Sequence, residues 1–421
     1  MYYNDLTQDQ VNNLSHLLEY AQVNQLDELR SKFDEIVKRQ KLDLYRNSVL
    51  QSIMLNNIKI EEIEGWLLKL KENSDNTIIH IECSLLKGKK KLINKKIISD
   101  LQNSQKNILD ISHSTIKDPQ IVDYMPNGNE IELTLLLPAK TLSEDGEQLK
   151  TGNRTIYIQK SSLYHVYIWV NTDENTITLS LPSYSKYNSI WDIKNKRNMT
   201  DLLTEKIVKY LWGYTGEFEY KDLDWVNHAL RKITNEYYYH NNPLIENEIA
   251  AIINKKKSME KNTFSLNEYF ANLSDSLNND VCLKRINNAI DSAIERELIS
   301  LYKMKTCPHP FEVFLHEISK GVTSYKSRSG TTNNQIKEPP SLDTRDIILK
   351  ILNSGSLKSL GLKYYSDNLT SVAYKVICKE NWIVLEQTNE TGTSKELVKN
   401  VLSEFKTYKG SEQANKRSGN N

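Results

Sequence analysis

Apolar side chains recur at intervals of three and four residues near the start of the chain, as they do on one face of an α-helix. Two such stripes are Val11, Leu14, Leu18 and Ala21, followed by Leu26, Leu29, Phe33 and Ile36. Two more helices are predicted over 42–55 and 60–70. Thr7 and Gln10 have the spacing of a capping box at the start of the first helix. The pattern predicts a helical bundle over residues 1–75.

Two later stretches share another pattern, in which two alternating strands and a turn precede an amphipathic helix. The first has strands over 164–170 and 176–182 and a helix from about residue 200; the second has strands over 371–378 and 382–386 and a helix from about residue 394. Outside this pattern the two sequences hardly match, which favours two independent hairpins over an internal duplication. Such a unit can pack its sheet against the helix and leave the turn or the other face for a partner.

Together these elements predict an α+β, multi-domain protein, and 421 residues are enough for two or three domains. The predicted parts are a helical bundle (1–75), a mixed middle region with an antiparallel sheet and a β-hairpin (76–220) and a helical connector (221–306). A basic C-terminal α/β unit with the second hairpin and helix (307–409) and a disordered polar tail (410–421) follow.

Charge is balanced overall but uneven along the chain. The 55 basic and 54 acidic residues give a net charge of +1, so no overall field attracts nucleic acid or anionic membranes. Residues 1–75 contain 9 basic and 13 acidic residues, whereas residues 301–421 contain 18 basic and 12 acidic residues. A bound polyanion is therefore expected at the C-terminal part.

Several bulk features indicate a cytoplasmic protein without a membrane partner. The first residues contain neither the basic nor the apolar region of a signal peptide, and the most apolar segment, 131–139, is too short to span a bilayer. The four cysteines are widely separated, which disfavours a disulfide framework and a cysteine-rich zinc site. The abundance of Lys, Asn and Ile is typical of AT-rich bacterial and phage genomes.

The strongest enzymatic candidate is Glu82 in the alternating segment 78–85. The segment is similar in outline to the Glu-x-Lys strand of metal-dependent nucleases of the restriction-endonuclease type, in which the carboxylate binds Mg²⁺. Here Ser84 stands where that pattern has lysine, and Asp75 is the only nearby carboxylate that could complete the site. The simpler interpretation is an ordinary strand with Glu82 on a solvent-exposed face. The sequence contains no phosphate-binding glycine loop, nucleophile elbow or metal-ligand spacing, so no cofactor and no metal are predicted.

Basic clusters are the main binding candidates. Lys326 and Arg328 share one face of a predicted strand, where period-two geometry aligns them with successive phosphates. The densest basic run contains Lys87, Lys89, Lys90 and Lys91. The simpler interpretation of each cluster is a solvated surface.

The aromatic run Tyr237, Tyr238 and Tyr239 is a candidate partner-binding patch, because tyrosine is enriched in the centres of protein interfaces. Stacking on bases and packing between domains are the alternatives.

These observations favour a non-enzymatic nucleic-acid-binding subunit of a larger DNA-processing or anti-phage defence complex, with DNA preferred over RNA. The expected partners are nucleic acid and other protein subunits. A protein–protein scaffold that binds no nucleic acid is the first alternative. A divergent metal-dependent nuclease centred on Glu82 is the second.

Overall fold

The computed structural model describes residues 3–72, 74, 76–86, 92, 95–144, 157–194, 197–239, 247, 251–252, 311–320, 323–328, 356–365, 371–388 and 393–409. In these ranges eight α-helices and twelve β-strands have defined bounds, and the named strands pair in antiparallel fashion. The predicted α+β class is confirmed. The chain forms two compact units, here called unit 1 (Met1–Leu223 with Lys379–Val398) and unit 2 (Asp224–Cys378 with Lys399–Asn421). The finer division expected from the sequence stays a prediction.

Unit 1 begins with four amphipathic helices: α1 (Gln8–Leu18), α2 (Val23–Lys32), α3 (Leu42–Met54) and α4 (Ile60–Leu68). The capping box is present, since the Gln10 amide donates to the Thr7 hydroxyl at 3.3 Å and the Thr7 amide donates to the Gln10 side chain at 2.9 Å. The apolar faces of these helices share one core with Val122, Leu136 and Leu163 of the sheet. The helices therefore bury their stripes against strands as well as against each other.

The sheet of unit 1 has the strand order β2-β3-β4-β5-β1-β12. Its strands are β1 (Asn76–Ser84), β2 (Gln120–Asn127), β3 (Glu130–Glu144), β4 (Tyr157–Asn171), β5 (Thr176–Pro182) and β12 (Ile383–Gln387). Two short strands complete it: β6 (Tyr187–Ile190) pairs with β3, and β7 (Glu219–Tyr220) pairs with β1. Helices α5 (Lys95–Ser104) and α6 (Met199–Thr215) also belong to this unit.

The start of the last helix, α8 (Lys395–Thr407), is tied to the sheet of unit 1 by one lysine. Lys395 Nζ lies 3.2 Å from a carboxylate oxygen of Glu130 and 2.6 Å from one of Glu132, both on β3. It also lies 5.9 Å from the centre of the Trp169 ring. With only 17% of the lysine side chain exposed, this is a largely desolvated ion pair.

Unit 2 contains the strand order β11-β10-β8-β9. The strands are β8 (Phe311–Lys320), β9 (Thr323–Arg328), β10 (Ser356–Tyr365) and β11 (Ser371–Cys378), and α7 (Asp224–Tyr239) packs against β8 and β10. Phe311 of β8 stacks on Phe405 of α8 with ring centres 5.3 Å apart. Lys409 lies 4.6 Å from the centre of the Trp225 ring on α7, which holds the end of α8 to that helix.

The strands and helices predicted for both hairpin–helix patterns are present, as β4, β5 and α6 and as β11, β12 and α8. The first pattern also contains β6 between its strands and its helix. The helices expected over 282–302 and 346–352, most of the helix over 244–257 and the polar tail lie outside the described residues. Among the helices that are described, none combines the length and apolarity needed to cross a bilayer.

Candidate anion-binding cleft

An open cleft of about 1410 Å³ lies within unit 1. It is bordered by α1, α2 and α3, by the segment that follows α4, by β3 and β4, and by the connection between β5 and β6. Four fixed cations line it: Arg46, Lys71, Lys160 and Lys186. Glu19 is the one carboxylate among its described lining residues, and we call this site the cationic cleft.

Lys71 is held in place through its own backbone. Its amide donates to the hydroxyl of Tyr167 at 3.0 Å, and its carbonyl accepts from the hydroxyl of Ser74 at 2.9 Å and from the side chain of Asn76 at 3.3 Å. The preceding carbonyl, of Leu70, accepts from Gln25 at 2.7 Å. Because the backbone is fixed on both sides, the lysine extends from a defined point of the cleft wall, between α4 and β1.

The electrostatic surroundings of Lys71 are unfavourable for its charge. Burial, and then the positive charges of Lys186 and Arg46, lower its pKa. The ammonium lies 5.6 Å from the centre of the Tyr20 ring, and no carboxylate in the described part of the chain lies within ion-pair distance of it. An anion in the cleft would relieve both effects, since desolvation and like charges each disfavour the protonated lysine.

Arg46 on α3 is oriented by the end of α1. Its Nε and Nη2 atoms donate to the carbonyl of Ala21 at 3.0 and 2.8 Å, and Nη1 lies 3.1 Å from the exposed carboxylate of Asp43. These contacts use three of the five N–H donors of the guanidinium. The remaining donors have fixed directions and can bind an oxyanion in the cleft.

Lys160 of β4 and Lys186, in the connection between β5 and β6, are exposed. Neither has an ion-pair partner in the part of the chain that the structure describes. Hydroxyl groups lie beside them, including Ser161 next to Lys160 and Ser183 and Ser185 before Lys186. Paired lysines and serine hydroxyls are suited to contact phosphate oxygens.

Tyr20, two residues after the end of α1, joins the helices to the sheet at the cleft wall. Its hydroxyl lies 2.8 Å from both His16 Nε2 and the Ser162 hydroxyl, and it accepts a hydrogen bond from the Leu163 amide at 3.0 Å. Burial raises the pKa of Tyr20 to about 12, so the hydroxyl remains protonated at neutral pH.

Three histidines surround this tyrosine. His16 stacks on His113 with ring centres 4.0 Å apart, and His165 of β4 meets the Tyr20 ring edge at 5.4 Å. Burial and the nearby His113 lower the pKa of His16 to about 4, and burial lowers that of His165 to about 3. The Nδ1 atom of His16 lies 3.3 Å from Glu19. At neutral pH His16 and His165 are therefore neutral and add no charge to that of the lysines and the arginine.

Glu82 lies on β1, and the expectation of a solvent-exposed face is wrong because its side chain is only 3% exposed. The physical reason is that both faces of β1 are covered: residues 78–83, which point alternately to the two faces, are all buried. Within the described ranges no three His, Cys, Asp or Glu side chains converge in a way that could hold a metal ion. The nuclease hypothesis receives no support from this part of the chain.

Lys326 and Arg328 lie on β9, where they are paired in register with Glu317 and Leu315 of β8. Their backbone positions have the period-two relation that the sequence predicted. Lys87, Lys89, Lys90 and Lys91 lie outside the described residues. Whether the basic clusters converge stays a prediction.

Tyr237, Tyr238 and Tyr239 form the last turn of α7. The predicted helix is confirmed there, and their role as a partner-binding patch stays a prediction.

The cations of the cleft were not singled out by the sequence. They are isolated basic residues, separated by 25 positions or more and carried by different elements, as their numbers show. Only the sheet register and the packing of α1–α4 bring them to one cleft. The comparisons do not extend this assignment: no protein-family model matches the chain, and no curated protein is significantly similar to it.

Proposed function

We propose that this chain is a non-enzymatic, cytoplasmic nucleic-acid-binding subunit of a larger DNA-processing or anti-phage defence complex. The cationic cleft holds the sugar–phosphate backbone of a nucleic-acid strand. The observation that carries this proposal is the excess of four fixed cations over one carboxylate within a single cleft. Phosphate contacts supply most of the sequence-independent affinity of nucleic-acid-binding proteins.

The size of the cleft also supports a polymeric ligand. Clefts for small molecules usually have volumes of about 300–1000 Å³, and this one has about 1410 Å³. Lys160 and Lys186 are exposed there, whereas Lys71 and Arg46 are partly buried. Cations at different depths can follow a strand that enters the cleft from solvent.

The direct test is fluorescence anisotropy with labelled single-stranded and duplex DNA over a range of salt concentrations. The variant replaces Lys160 and Lys186 with glutamine, and the matched control replaces Lys117 and Lys209, which are exposed lysines outside the cleft. Both variants lose the same charge. A difference between them therefore reports the cleft and not the net charge of the protein.

Each phosphate contact to a single strand changes the slope of log K against log salt by about 0.7, which is a factor of about five at 0.1 M salt. The cleft variant is therefore expected to bind about 25-fold more weakly than the wild type and with a slope smaller by about 1.4. The control should bind within a factor of two or so of the wild type. Equal binding by the two variants would remove the cleft from the proposal.

The basic strand predicted from the sequence is tested in parallel. Changing Lys326 and Arg328 to glutamate is expected to weaken binding further if β9 also contacts phosphate. Absence of DNA and RNA binding at low salt would reject the nucleic-acid function. A co-purifying protein whose association resists high salt would then support the scaffold alternative.

A further inference from the structure

Lys71 lines the cleft together with two other cations, Arg46 and Lys186. Lys186 and Arg46 lie close enough for their charges to lower the pKa of Lys71. A phosphodiester inside a strand bears one negative charge, whereas a phosphomonoester bears about 1.5–2 at pH 7. Three cations that repel each other match the second group better.

The three cations come from separate elements, and hydrogen bonds fix two of them. Arg46 is anchored on the carbonyl of Ala21, and Lys71 follows a backbone segment that Gln25 and Asn76 hold. Lys186 precedes β6. A fixed arrangement of donors lowers the entropy lost on binding a compact anion.

The one carboxylate of the cleft does not neutralise this group. Glu19 is exposed, and its carboxylate lies 3.3 Å from His16 Nδ1. Neither Lys71 nor Lys186 has an ion-pair partner among the described residues. Arg46 is paired with the exposed carboxylate of Asp43 at 3.1 Å, so the positive charge available to a ligand comes mainly from Lys71 and Lys186.

From this arrangement we infer that Arg46, Lys71 and Lys186 form a binding site for a phosphomonoester, such as the phosphorylated end of a nucleic-acid strand. This inference rests on the proposed function and adds to it the chemical group that the cleft recognises. The protein would then prefer strand ends that carry a phosphate over strand ends that carry a hydroxyl.

The test compares single-stranded oligonucleotides of one sequence that carry a 5′-phosphate, a 3′-phosphate or hydroxyls at both ends. Affinity is measured by anisotropy with an internal label. A phosphate at one end is expected to raise affinity at least about fivefold, because an added unit charge about 4 Å from a cation contributes about that factor even in bulk water. This gain should disappear in Lys71→Gln, while the affinity of that variant for the hydroxyl-ended strand should fall only about fivefold, the value of one phosphate contact.

Two further variants keep the test independent of folding. Lys186→Gln removes an exposed lysine and should also reduce the gain, whereas Lys209→Gln should leave it unchanged. Far-ultraviolet circular dichroism and the melting temperature verify that each variant is folded.

The outcomes separate the inference from the function. Equal affinity for phosphorylated and hydroxyl ends would overturn the phosphomonoester site and leave nucleic-acid binding standing. Competition by a mononucleotide, without binding of any oligonucleotide, would keep the phosphomonoester site and overturn the nucleic-acid function. Absence of binding to oligonucleotides, mononucleotide and inorganic phosphate alike would overturn both.

Discussion

Replacing Asn76 with alanine is expected to destabilise unit 1 more than any single change at the cleft surface. The Asn76 side chain is 1% exposed. Its amide donates to the carbonyl of Glu72 at 2.7 Å, to the hydroxyl of Ser180 at 2.8 Å and to the carbonyl of Lys71 at 3.3 Å, and its oxygen accepts from Ser74 at 2.7 Å. The residue therefore links β1 and β5 to the segment that carries the lysine.

The magnitude follows from the number of hydrogen bonds lost. Three of the four bonds of Asn76 are shorter than 3 Å, and a net value of about 1 kcal/mol for each gives a loss of about 3 kcal/mol in the free energy of unfolding. With a urea dependence of about 1–3 kcal/mol per molar, the unfolding midpoint should fall by about 1–3 M. Asn12→Ala, an exposed change on α1, should shift the free energy by less than about 0.5 kcal/mol.

Tryptophan fluorescence is a suitable signal for this experiment. Five of the six tryptophans belong to unit 1, and only Trp225 belongs to unit 2. The fluorescence transition in urea therefore reports mainly unit 1. An Asn76→Ala protein whose midpoint equals that of the Asn12→Ala control would refute the reasoning. Because Asn76 orients the Lys71 backbone, the folded Asn76→Ala protein should also bind DNA more weakly than the wild type in buffer without urea.

Three other changes test separate parts of the structure. Tyr20→Phe removes the acceptor of the Leu163 amide and should lower the free energy of unfolding by about 1–3 kcal/mol in urea titrations; an unchanged midpoint would contradict this. The depressed pKa values of His16 and His165 mean that the unfolded chain binds more protons, so stability should fall as pH decreases from 6.5 towards 4, by up to about 1.4 kcal/mol per pH unit for each histidine. His16→Asn should flatten this profile, and a profile that is already flat in the wild type would reject the assignment. Lys395→Met leaves two carboxylates of β3 without their cation and should lower the free energy of unfolding by about 1–3 kcal/mol. A urea midpoint equal to that of the wild type at both low and high salt would contradict this.

Strongly periodic elements were predictable from the sequence. The four N-terminal helices have one face in the core and one in solvent, as their apolar stripes predicted, but α1 and α2 end at Leu18 and Lys32, before the last positions of their stripes. Besides the short strands β6 and β7, two longer strands, β2 and β10, were missed for a physical reason. Asp123 and Pro126 interrupt the apolar run of β2, and β10 contains Gly361 next to a register shift. Irregular pairing removes the two-residue alternation on which such a prediction depends.

The cleft could not be predicted because its chemistry depends on tertiary placement. Lys71 follows α4 and has the local sequence of a solvated helix end, yet it is partly desolvated where the chain turns towards β1. The solvent-exposed position expected for Glu82 was also wrong, since alternation in a strand does not reveal that both faces of the strand are covered. Whether a charged residue is buried depends on the residues that pack against it in the folded protein, and these lie far away in the sequence.

Unit 1 is assembled from two separate stretches of chain, and this has a consequence for its biosynthesis. The segment Lys379–Val398 supplies β12, which pairs with the central strand β1, as well as Ser394 and Leu397 at the border of the cleft. On the ribosome this segment emerges only after all of Asp224–Cys378 has been made. Unit 1, the first to be translated, is thus completed only after most of unit 2 has been made, and a product that terminates before Lys379 would expose one edge of β1 and lack residues at the border of its binding site.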